Sequence, residues 1–228
     1  GYFKNINLIN YRNFSSKSFV FNNNCNILTG NNGSGKTNLL EAISLFEKGR
    51  GFRKEKINNL INFKNLKEGF KIESIFKNQN SEYKISVFNT EKNLKKISVN
   101  DSVDKESINF FETLFSIIYF LPEMERLFTS SPSFRRNFLD RLIFGFDKRY
   151  NIIINNYKKA IYERQLLLKD NKFDEVGIEK IEKNIVEFGS IIYQKRIKHT
   201  NFLNKILKEL NLIKYFSHNF FLKLEDHL

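Results

Sequence analysis

Cysteine, tryptophan, proline and long apolar runs are all scarce in this chain of 228 residues. Its one cysteine, Cys25, cannot form an internal disulfide framework. The longest apolar runs, such as residues 115–121, fall short of the ~20 residues that a membrane-spanning helix needs. Lys4, Asn5 and Asn7 interrupt the first segment, so no secretory signal pattern opens the sequence. We therefore expect a cytoplasmic protein with no membrane partner.

Positive charge exceeds negative charge by a wide margin. Lysine and arginine number 38 against 25 aspartate and glutamate residues, which gives a formal net charge of +13. Such an excess attracts a polyanion such as nucleic acid. The composition, with no tryptophan and two prolines, is equally what an AT-rich genome imposes on any protein. Only the location of the charge can decide between a nucleic-acid surface and a diffuse basic surface.

Residues 30–37, with the sequence GNNGSGKT, match the G-x-x-x-x-G-K-[ST] pattern of a phosphate-binding P-loop. Gly30, Gly33 and Gly35 permit backbone angles that let successive N–H groups converge on phosphate oxygens. Lys36 can reach the β and γ phosphates of a nucleotide, and the Thr37 hydroxyl can ligate the accompanying Mg²⁺. The run LLEAISLFEK that follows predicts a helix whose N-terminus faces the same anion. The motif therefore predicts binding of a nucleoside triphosphate.

Apolar periodicity predicts strands on both sides of the P-loop. They are expected at residues 2–9, 17–21, 25–29, 69–77, 82–88, 94–99 and 115–121. The segment at 25–29 is the strand that the motif requires, and the three closely spaced runs from 69 to 99 indicate an antiparallel meander. Gly49 is expected to close the P-loop helix as its C′ residue. The first part of the chain thus predicts an α/β core with antiparallel β additions.

The periodicity becomes helical from Pro132 onward. Ser131 is expected to be the N-cap of the first helix, with Pro132 at a favoured first position. Two longer helices, at about 147–168 and 177–210, are expected to form an antiparallel hairpin, and residues 215–224 return to a strand-like pattern. We therefore expect a P-loop lobe at residues 1–128 and a helical lobe at residues 129–228.

Five separated motifs follow one another along nearly the whole chain. They are NYRNF at 10–14, GNNGSGKTNLLEAI at 30–43, GRGFR at 49–53, LPEMERLF at 121–128 and SPSFRRNFLDRL at 131–142. In this order they resemble the bacterial RecF family. The resemblance implies the N-terminal half-core of an ABC-type P-loop ATPase related to SMC and Rad50 heads. It further implies ATP and Mg²⁺ as cofactors and ATP-dependent homodimerisation on single-stranded or gapped DNA. The implied roles are replication, recombination, gap repair and the SOS response, with RecO- and RecR-type mediators as partners.

The resemblance also implies a set of site residues. The nucleotide-binding set is Gly30, Asn31, Asn32, Gly33, Ser34, Gly35, Lys36, Thr37 and Asn38. Arg12 matches an arginine that could sit against the nucleotide phosphates, and its alternative is an exposed turn residue. Arg50, Arg53, Arg135 and Arg136 are candidates for DNA or phosphate contacts, and their alternative is a solvated turn or a basic helix face.

Some parts of the family pattern do not occur in the sequence. No segment resembles the ABC signature, the Walker B aspartate or the switch histidine, which in this family follow the helical lobe. We therefore expect the C-terminal part of the ATPase core to be missing and the chain to hold no catalytic residue. Alone it should hydrolyse ATP negligibly, whereas the intact protein would be a weak ATPase. The alternatives are another SMC- or Rad50-like repair head, a small-molecule P-loop kinase, and a DNA-binding module with a vestigial P-loop.

Overall fold

A computed structural model describes residues 1–169, 175–209 and 221–224. The chain divides into two compact units, Gly1–Tyr119 and Phe120–Leu228. The first unit contains β1 (Tyr2–Tyr11), β2 (Phe14–Val20), α1 (Lys36–Ser44), a 3₁₀ turn (Ile57–Leu60), β3 (Lys71–Asn78), β4 (Ser81–Asn89), β5 (Lys95–Val99) and α2 (Lys105–Leu114). The second unit contains a 3₁₀ segment (Pro122–Thr129), α3 (Pro132–Phe146), α4 (Tyr150–Lys169) and α5 (Glu175–Glu209).

One antiparallel sheet organises the first unit, with strand order β2-β1-β3-β4-β5. Alternate side chains of these strands point into a core that they share with α1 and α2, as their period of two dictates. The core side chains include Ile6, Leu8, Ile72, Phe76, Ile85, Val87, Leu39, Ala42, Leu45 and Phe111. The predicted α/β class and its antiparallel additions are confirmed. Helix α2, which begins at the N-cap Asp104, is absent from the expectations drawn from the sequence.

Two predicted strands are wrong. Residues 25–29 and 115–121 have no regular secondary structure, and Ile27 is 82% exposed. A strand is held by hydrogen bonds to a neighbouring strand, so an apolar run without such a neighbour forms no ladder. Within the described ranges, the sheet consists of the five strands β1, β2, β3, β4 and β5, and neither segment has a parallel partner strand in it. Periodicity identified apolar segments correctly but could not supply the partner that each needs.

The P-loop helix is shorter than expected, and Gly49 does not close it. Helix α1 ends at Ser44, whose hydroxyl donates to the Glu41 carbonyl (2.7 Å) and accepts from the Phe52 N–H (3.2 Å). The segment after the helix therefore folds back onto its last turn. Gly51 contributes to this return because a Cβ there would lie 2.6 Å from the Ser44 hydroxyl. Gly49 has a left-handed φ of 104° but stands beyond the helix end.

The second unit contains the predicted helices. Ser131 caps α3 by accepting a hydrogen bond from the Phe134 N–H, as expected from the Ser-Pro pair. Helices α4 and α5 are antiparallel, since Arg164 pairs with Glu182 and Tyr157 packs on Gly189. Residues 221–224 lack regular structure, and the remainder of the strand predicted at 215–224 lies outside the described residues. None of the described helices has the length and apolarity needed to cross a membrane.

Candidate functional site

The P-loop leads directly into the N-terminus of α1. Gly30, Gly33 and Gly35 have φ angles of 147°, 82° and 97°, a region that residues with a Cβ rarely adopt. Gly35 is the N-cap of α1, and among the described residues no side chain caps this end and no acid lies in the first turn. The first N–H groups of the helix are thus left to bind an anion, and the helix dipole favours one there.

Lys36 and Thr37 occupy the first two positions of α1. The Lys36 ammonium donates to the carbonyls of Gly30 (2.6 Å) and Asn31 (2.9 Å), so its charge lies across the loop. Thr37 is exposed at the same helix end. No group of three or more His, Cys, Asp or Glu side chains in the described ranges could hold a metal ion. The Thr37 hydroxyl could ligate a nucleotide-bound Mg²⁺ at this helix end.

A fully buried carboxylate lies one turn further along α1. Glu41 accepts hydrogen bonds from Arg12 Nε (2.9 Å) and Nη2 (2.7 Å), which form a two-pronged ion pair. It also accepts from the Tyr11 hydroxyl (3.1 Å) and from Arg53 Nη1 (3.2 Å). The Glu41 side chain has no exposed surface, whereas Arg53 is one-third exposed. We name these four residues the Glu41 cluster.

Asn38 joins the Glu41 cluster to the turn between β1 and β2. Its amide nitrogen donates to Asn13 Oδ1 (2.8 Å), and its Oδ1 accepts from Arg53 Nη1 (2.8 Å). The same turn packs on the P-loop, since a Cβ added to Gly35 would collide with the Phe14 ring and approach Asn13 Nδ2 to 2.9 Å. The motifs NYRNF, GNNGSGKTNLLEAI and GRGFR, which are separate in the sequence, are therefore in direct contact.

Electrostatics at this end of α1 favour an anionic ligand. Lys36, Arg12 and Arg53 bring three positive charges, and Glu41 neutralises one of them. Burial acts to lower the pKa of Arg12, but its hydrogen bonds to Glu41 and the charge of that carboxylate raise the pKa above its usual value. Burial and the neighbouring carboxylate raise the pKa of Tyr11, so its hydroxyl stays a donor. The remaining positive charge suits a Mg²⁺-bound polyphosphate.

Lys95 on β5 holds the other end of α1. Its ammonium donates to the carbonyls of Leu45 (2.7 Å), Glu47 (2.6 Å) and Gly49 (2.8 Å). Leu45 is the C-cap residue of α1 and the other two carbonyls belong to the segment after it, so the cation lies beside the negative end of the helix dipole. Burial lowers the pKa of Lys95 to about 8, against the opposing charges of Glu112 and Glu47. The exit from α1 and the start of the 49–53 segment are thereby fixed.

The predicted site residues divide into those the structure brings together and those it leaves apart. Residues 30–38, Arg12 and Arg53 share one site, although Arg12 and Asn38 have protein partners there. Arg50 is exposed beyond α1. In the second unit, Arg135 donates to the carbonyls of Phe128 (3.1 Å) and Ser130 (2.6 Å), and Arg136 is exposed. Their contacts to DNA or phosphate stay predictions.

Three residues that organise the site were not singled out from the sequence, namely Glu41, Asn13 and Lys95. Glu41 carried a signal, because it is an acid placed four residues after Thr37 in a helix whose other faces are apolar. Asn13 lies within the NYRNF motif. Treating that motif as part of the site would have predicted that Asn13 lies near the P-loop. Lys95 carried no such signal in the sequence, because the Leu45 carbonyl that it binds at the end of α1 is fifty residues away in the chain.

Sequence comparisons identify the known proteins to which this chain is similar. The family described as RecF/RecN/SMC N terminal domain matches residues 2–114. The chain is 34% identical over 207 residues to the DNA replication and repair protein RecF of Rickettsia typhi, and 31% identical over 205 residues to that of Rickettsia prowazekii. Each alignment covers 90% of this chain and 56% of the relative. The chain thus spans little more than half the length of the curated relatives that it matches.

Solved structures agree with the sequence comparisons. The structure of the recombination mediator protein RecF-ATPrS has a TM-score of 0.80 and 30% identity, over 92% of this chain and 57% of that one. A structure of RecF-ATP has a TM-score of 0.75 and 28% identity over the same shares. An SMC ATPase structure, with a TM-score of 0.51 and 19% identity, supports the fold alone. The fold is that of P-loop ATPases of the RecF and SMC-head type, and the chain belongs to the bacterial RecF family, of which it represents the N-terminal portion.

Proposed function

We propose that this chain is the ATP-binding portion of a RecF-like protein that acts in DNA replication and repair. The observation that carries the proposal is the P-loop itself, whose three left-handed glycines and Lys36 surround the uncapped N-terminus of α1. The names of the similar proteins, which include RecF-ATP and DNA replication and repair protein RecF, agree with it.

The chain would contribute a phosphate cradle. The N–H groups of the loop and of the first turn of α1 would donate to the phosphates, and Lys36 would exchange its two carbonyl acceptors for phosphate oxygens. Thr37 would provide a ligand for Mg²⁺, which neutralises phosphate charge when bound. Arg12 and Arg53 would add positive charge from the Glu41 cluster. The proposal assigns no residue of this chain to the orientation of the water that hydrolyses ATP.

The full-length protein would use the nucleotide to dimerise on DNA. Its role would then be that of a cytoplasmic recombination mediator at single-stranded or gapped DNA, working with RecO- and RecR-type partners in gap repair and the SOS response. The nucleotide would be bound between two copies of the protein, so ATP would favour the dimer, because ligand binding to one state shifts the equilibrium toward it.

Sedimentation velocity of the full-length protein tests this proposal. With MgATP and gapped DNA, the wild-type protein should shift from monomer to dimer, whereas EDTA should prevent the shift because it removes Mg²⁺. The Lys36→Ala variant should stay monomeric, because the cradle loses its only P-loop side-chain cation. Lys92→Ala, at an exposed lysine in the β4–β5 turn, is the matched control and should behave as wild type. If MgATP caused no shift from monomer to dimer in the wild-type protein, that result would contradict the proposed dimerisation.

A further inference from the structure

An exposed loop between the 3₁₀ turn and β3 presents two apolar side chains to solvent. Residues 63–69 are all exposed, and within them Phe63 is 71% and Leu66 is 65% exposed. Exposed apolar side chains that occur together in one segment, rather than singly, mark candidate interaction sites. We name residues 62–69 the Phe63 loop.

The backbone of the Phe63 loop is held in place from beneath. Asn10, a buried residue of β1, donates from its side-chain amide to the carbonyls of Asn65 (2.9 Å), Glu68 (2.7 Å) and Gly69 (3.3 Å). Buried Asn62 accepts from the Lys64 N–H (2.9 Å) through its side chain and donates its own N–H to the Asn10 carbonyl (2.9 Å). Buried polar groups thus fix the loop with Phe63 outward, and a preorganised loop loses little entropy on binding.

The Phe63 loop is also basic. Lys64 directly follows Phe63 and Lys67 directly follows Leu66, and within the described part of the chain neither lysine is paired with a carboxylate. The Lys64 ammonium lies 6.0 Å from the centre of the Phe63 ring. An exposed aromatic ring followed by lysines one and four residues later suits nucleic acid better than a protein, because lysine is depleted in the cores of protein interfaces.

The chain that leads into the Phe63 loop also carries an excess of positive charge. Residues 50–68 contain six lysines and arginines and only two glutamates, in a stretch of 19 residues. This part of the chain runs beside the end of β1, because the Arg12 N–H donates to the Leu60 carbonyl (2.8 Å). The excess of positive charge is therefore concentrated locally, which a uniform bias of composition does not explain.

We infer that the Phe63 loop is a contact for single-stranded nucleic acid. Phe63 stacks on an unpaired base, and Lys64 and Lys67 bind neighbouring phosphates, which is the combination of ring and cations that single strands require. The inference deepens the proposed function, since it rests on DNA as the partner and names the surface and the strandedness that are recognised.

Fluorescence anisotropy with the full-length protein and a labelled 20-nucleotide oligo-dT tests the inference. Phe63→Ala should weaken binding roughly 5- to 150-fold, the loss expected for one stacked base, and should leave the salt dependence unchanged. Phe63→Tyr should retain the affinity, because its ring still stacks. Phe110→Ala, which removes a half-exposed ring from α2, is the matched control and should bind like wild type.

The lysines give an independent readout. The double change Lys64→Ala and Lys67→Ala should reduce the slope of log K against log salt by about 0.7 for each lost contact. Thermal melting of each variant should match wild type, since both lysines and the Phe63 ring are exposed.

Three results would overturn the inference. The first is an affinity for oligo-dT that Phe63→Ala changes no more than Phe110→Ala does. The second is a large fall in melting temperature for Phe63→Ala, which would mean that the ring is buried in the full-length protein. The third is Phe63-dependent binding to anionic lipid vesicles with unchanged DNA affinity. In each case the proposed function stands if the wild-type protein binds ATP and DNA; it fails separately if the wild-type protein does not bind ATP.

Discussion

Replacing Glu41 by alanine is expected to lower the free energy of unfolding of this chain by about 3–5 kcal/mol, the cost of removing one partner from a buried ion pair. The carboxylate has no exposed surface and holds Arg12 through two hydrogen bonds. Without it the Arg12 guanidinium stays largely buried with no counter-charge, and the Tyr11 hydroxyl loses its acceptor. Urea unfolding followed by circular dichroism measures the change.

The matched control for this prediction is Glu82→Ala. Glu82 pairs with Lys4 at 2.8 Å, but both side chains are more than 40% exposed. An exposed pair of this kind contributes little to stability, because water screens it. Glu41→Gln should lie between the two, since it keeps the volume and one acceptor but not the charge. Equal losses for Glu41→Ala and Glu82→Ala would refute the Glu41 cluster as a structural centre of the site.

Gly35→Ala is expected to destabilise the chain by about 2–5 kcal/mol, the sum of a left-handed backbone penalty and an overpacking penalty. Gly35 has a φ of 97°, and an added Cβ would collide with the Phe14 ring and press on Asn13. The P-loop could accommodate the methyl group only by moving away from the β1–β2 turn. Nucleotide binding should therefore weaken together with stability.

Gly33→Ala separates the two penalties. Gly33 also has a positive φ, of 82°, but a Cβ there would meet nothing within 4 Å. Its substitution should cost only about 1–2 kcal/mol, from the backbone alone. Chemical denaturation of both variants provides the comparison. If Gly33→Ala proved as costly as Gly35→Ala, the close packing of the turn against the loop would not be what constrains position 35.

Local sequence patterns predicted those parts of the fold that local interactions determine. The alternation of β1, β3, β4 and β5, the Ser131 cap of α3 and the P-loop itself each depend on residues close together in the chain. The strands expected at 25–29 and 115–121 depend on a partner strand, and a sequence pattern contains no information about which partner is present. Both wrong predictions therefore arise because strand formation depends on tertiary contacts.

The candidate site likewise combines residues that a contiguous motif predicts with residues that only tertiary contacts bring together. The nine residues at 30–38 were predicted from a contiguous motif, and they lie together in the structure. The link between Arg12, Glu41 and Arg53 joins residues up to 41 positions apart, and no spacing rule anticipates it. Arg12 was expected beside phosphates, and its contact with a buried acid was not foreseen. The Lys95 cap of α1 likewise arises only when β5 packs beside the helix end.

Binding of ATP to this chain, measured by isothermal titration calorimetry with Mg²⁺ present, tests the central claim most directly. The wild-type chain should bind one ATP, and Lys36→Ala should bind it roughly 10- to 150-fold more weakly, as the loss of a charge-assisted hydrogen bond requires. Lys92→Ala should bind like wild type, because its lysine is an exposed residue of the β4–β5 turn and not part of the P-loop. An affinity unchanged by Lys36→Ala, or no binding of ATP by the wild-type chain, would contradict the assignment of residues 30–37 as a nucleotide site.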